Sequence, residues 1–192
     1  MTWESGEGET EQAVWRAAVA LLPGAEAAAE EWAAIGEQEA AIEAAICGLC
    51  AHGVAIGGEL RAGLSVVAEL WGCRQALADR LNRCTDAADD VSTLRVMPPG
   101  EAESPAIEEC VVQQAAVGGE LAEAPAPGTA VVPWIVCEER GWELDRLHVC
   151  EPWGELSFRA TGYLLRRSAE PEQELFHGPL DAWSALLALR ER

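Results

Sequence analysis

The chain has 192 residues, 49% of them hydrophobic, and carries 33 acidic side chains against 13 basic ones, all of them Arg, for a net charge of −20 at pH 7. That length suffices for one core or two small ones, and the apolar share excludes wholesale disorder. The charge excludes free nucleic acid and anionic membrane surfaces as partners, since both call for Lys and Arg against phosphate, whereas a basic protein is drawn in.

The acid is concentrated in residues 1–60 and 101–143 and is nearly all Glu, which argues against a salt-adapted, Asp-rich surface. Solubility alone also accounts for such a surface. The absence of Lys beside abundant Ala, Gly and Arg points to a GC-rich coding sequence. No run approaches the roughly 18 apolar residues of a membrane span. Met1 to Glu11 lacks the apolar stretch of a secretory signal, and the seven Cys form no tidy disulfide framework. A cytoplasmic protein with reduced thiols is the expectation.

In chain order, Thr10 reads as the cap of a first helix whose apolar side is Val14, Trp15, Ala18, Leu21 and Leu22, ended by Pro23-Gly24. A long helix is predicted from Ala25 to Ala51, with Trp32, Ile35, Ile42, Ile46 and Leu49 on one face and a stop at His52-Gly53. A third helix is predicted from Glu59 to Cys84, its apolar stripe running from Leu60 to Leu81 through Val67 and Trp71. The short loop at Gly57-Gly58 makes the second and third helices antiparallel neighbours. Trp32 and Trp71 are expected in the core.

Thr85 to Ser104 reads as a linker, with a short strand inside Val91–Met97. Ser104-Pro105 opens a helix through Ile107, Cys110, Val111 and Gln114, stopped by Gly118-Gly119. Strands are predicted at Val131–Cys137, Leu147–Cys150, Leu156–Ala160 and Tyr163–Arg166, with Pro133 marking an edge or a bulge. Gly178-Pro179 opens a last helix through Leu180, Trp183 and Leu186 that covers a sheet face. The predicted fold class is α+β: an antiparallel helical module at 10–85, a linker at 86–104, and a small antiparallel sheet with a covering helix at 105–192.

Two cysteine patterns suggest chemistry. Cys47 and Cys50 share a helical face near His52, but near the helix C-terminus, where the dipole opposes a thiolate. Zinc there would need Cys73 or Cys84 from the third helix. Cys137-Glu138-Glu139-Arg140-Gly141 and Cys150-Glu151-Pro152-Trp153-Gly154 share the frame of a zinc knuckle, with Arg140 and Trp153 where the second thiolate belongs. His148 adds a third ligand at most, so no resident cofactor is expected, zinc being the one metal the frames would suit. Packing of Cys as a small apolar residue is the simpler account. The three His accompany no nucleophile elbow, phosphate-cradling loop or dinucleotide fingerprint, so the reading leans away from an enzyme.

The eight Trp offer the third pattern. Trp134, Trp142 and Trp153 lie among Glu138, Glu139, Glu143 and Glu151, and an aromatic patch with an acidic surround is how an acidic protein grips a basic one. The sequence therefore reads as a non-catalytic acidic module that occupies a basic site on a partner, in the manner of an immunity protein, antitoxin or secretion chaperone. The expected contacts are Glu138, Glu139, Trp142, Glu143, Glu151 and Trp153. A zinc- or thiol-dependent protein built on Cys47, Cys50, Cys137, His148 and Cys150 is the alternative. A third reading is a homo-oligomeric structural subunit assembled through its helices.

Overall fold

The computed structural model describes residues 6–22, 31–88, 90, 92–98, 116–117, 120–121, 129–151, 153, 155–167 and 173–190. The chain divides into two compact units, Met1–Val96 and Met97–Arg192. The first holds helices α1 (Gly6–Ala20), α2 (Gln38–Ala51), α3 (Gly58–Leu70) and α4 (Arg74–Asn82) and a short strand β1 (Leu94–Val96). Helix α3 is its axis: every residue from Arg61 to Ala68 is buried. A helix buried on all sides needs neighbours on all sides, and α1, α2, α4 and β1 supply them. Ile42, Ile46 and Leu49 of α2 meet Leu64 and Val67 of α3 and Leu77 and Leu81 of α4 in one core. Gly63 lets α1 come close, because a Cβ there would stand 2.8 Å from Cγ2 of Val14.

Three helical segments of this unit end in the same way. Glu37 N–H reaches Trp32 O at 3.0 Å, Val54 N–H reaches Leu49 O at 2.9 Å, and Cys73 N–H reaches Ala68 O at 2.9 Å. The residue before each donor is a glycine at positive φ: Gly36, Gly53 and Gly72. This is the Schellman motif, which satisfies the last carbonyls and reverses the chain. The stop at Gly53 agrees with the expectation; the other two correct it. Residues 25–30 of the expected long helix lie outside the described residues, and a helical turn at 31–34 is cut off by Gly36 before α2 begins. Trp32 and Ile35, expected in the core, are 45% and 69% exposed. The expected helix Glu59–Cys84 is two helices, α3 and α4, separated at Gly72, and Trp71 is only half-buried. Helix α1 starts at Gly6 rather than after Thr10, where acidic residues in the first turn suit the helix dipole.

Arg61 ties the unit together. Its guanidinium is buried and donates to Leu81 O, to Cys84 O at 2.9 Å and to Oδ1 of Asp86 at 2.7 Å. The two carbonyls lie at the C-terminal end of α4, where a cation from α3 supplements the Cys84 N–H on Leu81 O and satisfies Cys84 O.

The second unit holds two-residue strands β2 (Ala116–Val117) and β3 (Glu120–Leu121), paired antiparallel. The helix expected from Ser104 to Gln114 lies outside the described residues. Strands β4 (Thr129–Cys137), β5 (Trp142–Val149), β6 (Gly162–Arg167) and β7 (Gln173–Phe176) pair antiparallel in chain order. The register of β4 on β5 shifts between Pro133 and Ile135, so the expected irregularity at Pro133 is a bulge that places Trp134 in the core. Strand β5 starts five residues earlier than predicted. Residues 156–160 form a loop with a single bridge, Leu156 to Cys150, instead of a strand, and β7 is an addition. Helix α5 (Pro179–Arg190) packs on β5, β6 and β7 and buries Leu180, Trp183 and Leu186. The fold is α+β, as the pattern of elements implies. Among the described residues no helix is long and apolar enough to cross a membrane.

Candidate protein-binding surface

Strand β5 carries a tight structure at each end. At its start, Cys137 pairs with Trp142 across a turn of residues 138–141. Gly141 takes φ +65° and its N–H reaches Cys137 O at 2.9 Å. Glu138 and Glu139 are exposed on this turn. The next two residues are committed to the sheet. Trp142 lies opposite Arg167, whose guanidinium stands 5.9 Å from its ring centroid, and Glu143 pairs with Nη2 of Arg166 at 2.7 Å. A charge held by a cross-strand partner has less to offer a second protein.

At the other end the ladder continues past β5. Ser157 N–H donates to Val149 O at 2.8 Å, Glu151 N–H to Glu155 O at 2.7 Å, and Thr161 N–H to Leu147 O at 2.7 Å. Residues 149–151 therefore pair with 155–157 as a hairpin extension, Trp153 lies between its two arms in sequence, and residues 158–160 stand outside the ladder before the chain rejoins the sheet. Trp153 is 69% exposed and Phe158 is 70% exposed, and Val149 is exposed beside them in sequence. The Trp153 ring N–H donates to Oε2 of Glu155 at 3.2 Å, which fixes the indole over an acidic neighbour.

His148 holds this loop from below. It is buried, and its Nδ1–H donates to Ser157 O at 2.7 Å. Ser157 in turn accepts from Val149 N–H at 3.1 Å and donates to Arg159 O at 2.9 Å. The imidazole fixes loop backbone, a structural task distinct from the ligand role considered for it.

The expected contact residues thus fall into two groups. Glu138, Glu139, Trp142 and Glu143 stand at one end of β5; Glu151 and Trp153 stand at the other. The seven residue-to-residue steps of β5, at about 3.4 Å each, put roughly 24 Å between its ends. The same spacing separates the two knuckle-like frames, so Cys137, which is fully buried, and Cys150 are not brought to one ion. Among the described residues no group of three or more His, Cys, Asp or Glu is placed to hold a metal. Cys47 and Cys50 lie on α2 in the first unit, both half-buried. Sequence reasoning missed Phe158 and Glu155, because Ser157-Phe158-Arg159 alternates like a strand; the turn residues Pro152 and Gly154 were the signal for a projecting tip.

Two other features of the molecule do not belong to this surface. Asp145 is fully buried, and burial raises its carboxyl above the ordinary range while the Arg166 guanidinium draws it back part of the way. A cleft of about 210 Å³ in the first unit is lined by Trp15, Ile42, Val67 and Trp71. It is smaller than the roughly 300–1,000 Å³ of ligand sites, and Glu11 at its rim is used by the Trp71 ring N–H at 2.8 Å.

Comparison with protein-family models, with curated proteins and with solved structures finds no match to this chain.

Proposed function

We propose that this protein is a non-catalytic acidic binding module, and that the hairpin extension after β5 is the part that enters a basic site on a partner protein. The observation that carries the reading is the pair of exposed aromatics, Trp153 and Phe158, on a loop hydrogen-bonded in place and flanked by Glu151 and Glu155. Single exposed apolar residues are ordinary, but two large aromatics exposed within six residues of chain are the composition of an interface centre. The carboxylates beside them and the net charge of −20 steer a basic surface toward the loop. Glu138 and Glu139 contribute to steering from the far end of β5. The cytoplasm is the proposed place of action, since seven Cys without a disulfide framework suit a reducing compartment.

The test is capture by the tagged full chain from its native host, with wild type beside two double variants. Trp153→Ser with Phe158→Ser should cut retention of the captured partner about tenfold or more, the effect of losing a hot spot of about 2 kcal/mol. Glu151→Gln with Glu155→Gln should slow association and flatten its salt dependence. A partner retained equally by all three chains would remove the loop from the reading. Capture of the chain's own copies alone would replace it with self-assembly.

A further inference from the structure

Helices α1, α2 and α3 each turn one stripe of side chains toward the cleft of about 210 Å³ in the first unit. Glu11 and Trp15 of α1, Gln38 and Ile42 of α2, and Val67 and Trp71 of α3 are pairs four residues apart, so each pair shares a helical face. Ala33, from the helical turn at 31–34, also lines the cleft, and its methyl group takes little of the space. The lining is mainly apolar and includes two half-buried indoles. Its one charge is negative. Glu11 Oε1 accepts from the Trp71 ring N–H at 2.8 Å, which holds the carboxylate at the edge of that indole. Among the described residues no cationic side chain lines the cleft. Arg16, the only Arg of residues 1–60 against eleven Glu, donates to Oε1 of Gln12 at 3.0 Å instead.

A carboxylate beside a space walled by indoles attracts a cation, but of one kind. A primary ammonium needs acceptors for three N–H groups, and burying donors that find none is costly. A fully methylated ammonium carries its charge on an apolar surface, asks for no hydrogen bond and is held by aromatic rings. Size selects in the same direction. A cavity of about 150 Å³ holds benzene, whereas drug-sized molecules take about 300 Å³ or more. The cleft lies between these limits. We propose that it binds a small quaternary ammonium compound, with the methyl groups against Trp15 and Trp71 and the charge toward Glu11. Such a site belongs wholly to the first unit and is independent of the binding loop of the second.

The probe is choline, titrated into the full chain at constant ionic strength. The readout is the set of Trp ring N–H signals by nuclear magnetic resonance, with Trp15→Phe and Trp71→Phe used to identify two of them. The Trp15 and Trp71 signals should shift together and saturate, while that of Trp153, exposed beside Glu155 in the second unit, should stay in place. The neutral alcohol in which a carbon replaces the nitrogen of choline should bind about tenfold more weakly or worse. Glu11→Gln should weaken choline by a similar factor and leave the alcohol unchanged, and Trp15→Leu should weaken both. Should either variant fail to fold, choline against the alcohol on the wild-type chain still decides. No saturable shift at Trp15 and Trp71, equal binding of the alcohol, or an equal shift at Trp153 would overturn the proposal.

Discussion

Arg166 reaches along the sheet to Asp145, a side chain with no solvent exposure, and donates to its Oδ2 through Nε at 2.5 Å. The register explains the reach. Glu143 is directly opposite Arg166, and Asp145, two residues further along β5, shares that face. Nη2 meets the first carboxylate and Nε the second, so one cation serves two acids. Among the described residues the other oxygen of Asp145 has no hydrogen-bond partner, which makes the single ion pair the more consequential.

Removing the cation should expose that dependence. Arg166→Gln is expected to destabilise the second unit by about 2 kcal/mol, below the ~3–5 kcal/mol of a wholly buried pair because Arg166 is 38% exposed. Urea unfolding read by near-ultraviolet circular dichroism measures it; an unchanged midpoint would mean that Asp145 is solvated by other means.

The same carboxyl sets a pH dependence. Its raised value means that the folded chain holds the proton more readily than the unfolded one. From the ordinary carboxylate range near about pH 4 up to the raised value, stability therefore falls as pH rises. Asn imitates the protonated form at every pH. Asp145→Asn should gain on wild type as pH climbs out of that window and give the advantage back below about pH 4. Paired urea midpoints across the range decide it, a constant difference being the contrary result.

In the first unit Arg61 is the corresponding cation. Arg61→Met keeps much of the stem but takes the guanidinium donor from the carbonyls of Leu81 and Cys84. A loss of about 2 kcal/mol is expected, since a buried acceptor, Cys84 O, is orphaned while Leu81 O keeps the Cys84 N–H at 3.2 Å. Asp86, almost wholly exposed, contributes little to this group, and Asp86→Ala should cost less than about 1 kcal/mol. Thermal unfolding of the two variants side by side separates the carbonyl contacts from the ion pair.

Two tryptophans should behave oppositely. Trp134 is buried, 5.7 Å from the Tyr163 ring between centroids, with the Arg146 guanidinium 6.0 Å from its own centroid. Trp134→Ala should cost about 3–5 kcal/mol, whereas Trp153→Ala should stay within about 0.5 kcal/mol. Their emission maxima should differ in the same sense, with Trp153 the redder. A large stability loss at Trp153 would mean that its loop is packed rather than presented.

Much of the architecture was legible in the chain, and the reasons are local. Gly53 after Leu49 and Cys50, Pro179 after Gly178, and Pro133 within a β-branched run each name one backbone event. Gly36 and Gly72 also sit at positive φ, yet apolar spacing continues on either side of them. A lone glycine within a helical pattern does not distinguish a tolerated residue from a reversal. Strand β7 escaped because Gln173 and Glu174 open it and all four of its side chains are only half-buried. The candidate surface was legible in residue type but not in place. Trp153 and Glu151 stood out, but that β5 separates them from Trp142 depends on the full length of the strand, and the sequence supports only its second half.

The bond from His148 to Ser157 has a bearing on rates. A loop whose backbone is pinned to the interior has already surrendered its conformational entropy during folding, so little ordering remains to oppose association. Encounter then depends on charge and diffusion. For the proposed complex, substitutions at the indole and phenyl rings should alter chiefly its lifetime, and loosening the imidazole tether should slow its formation as well.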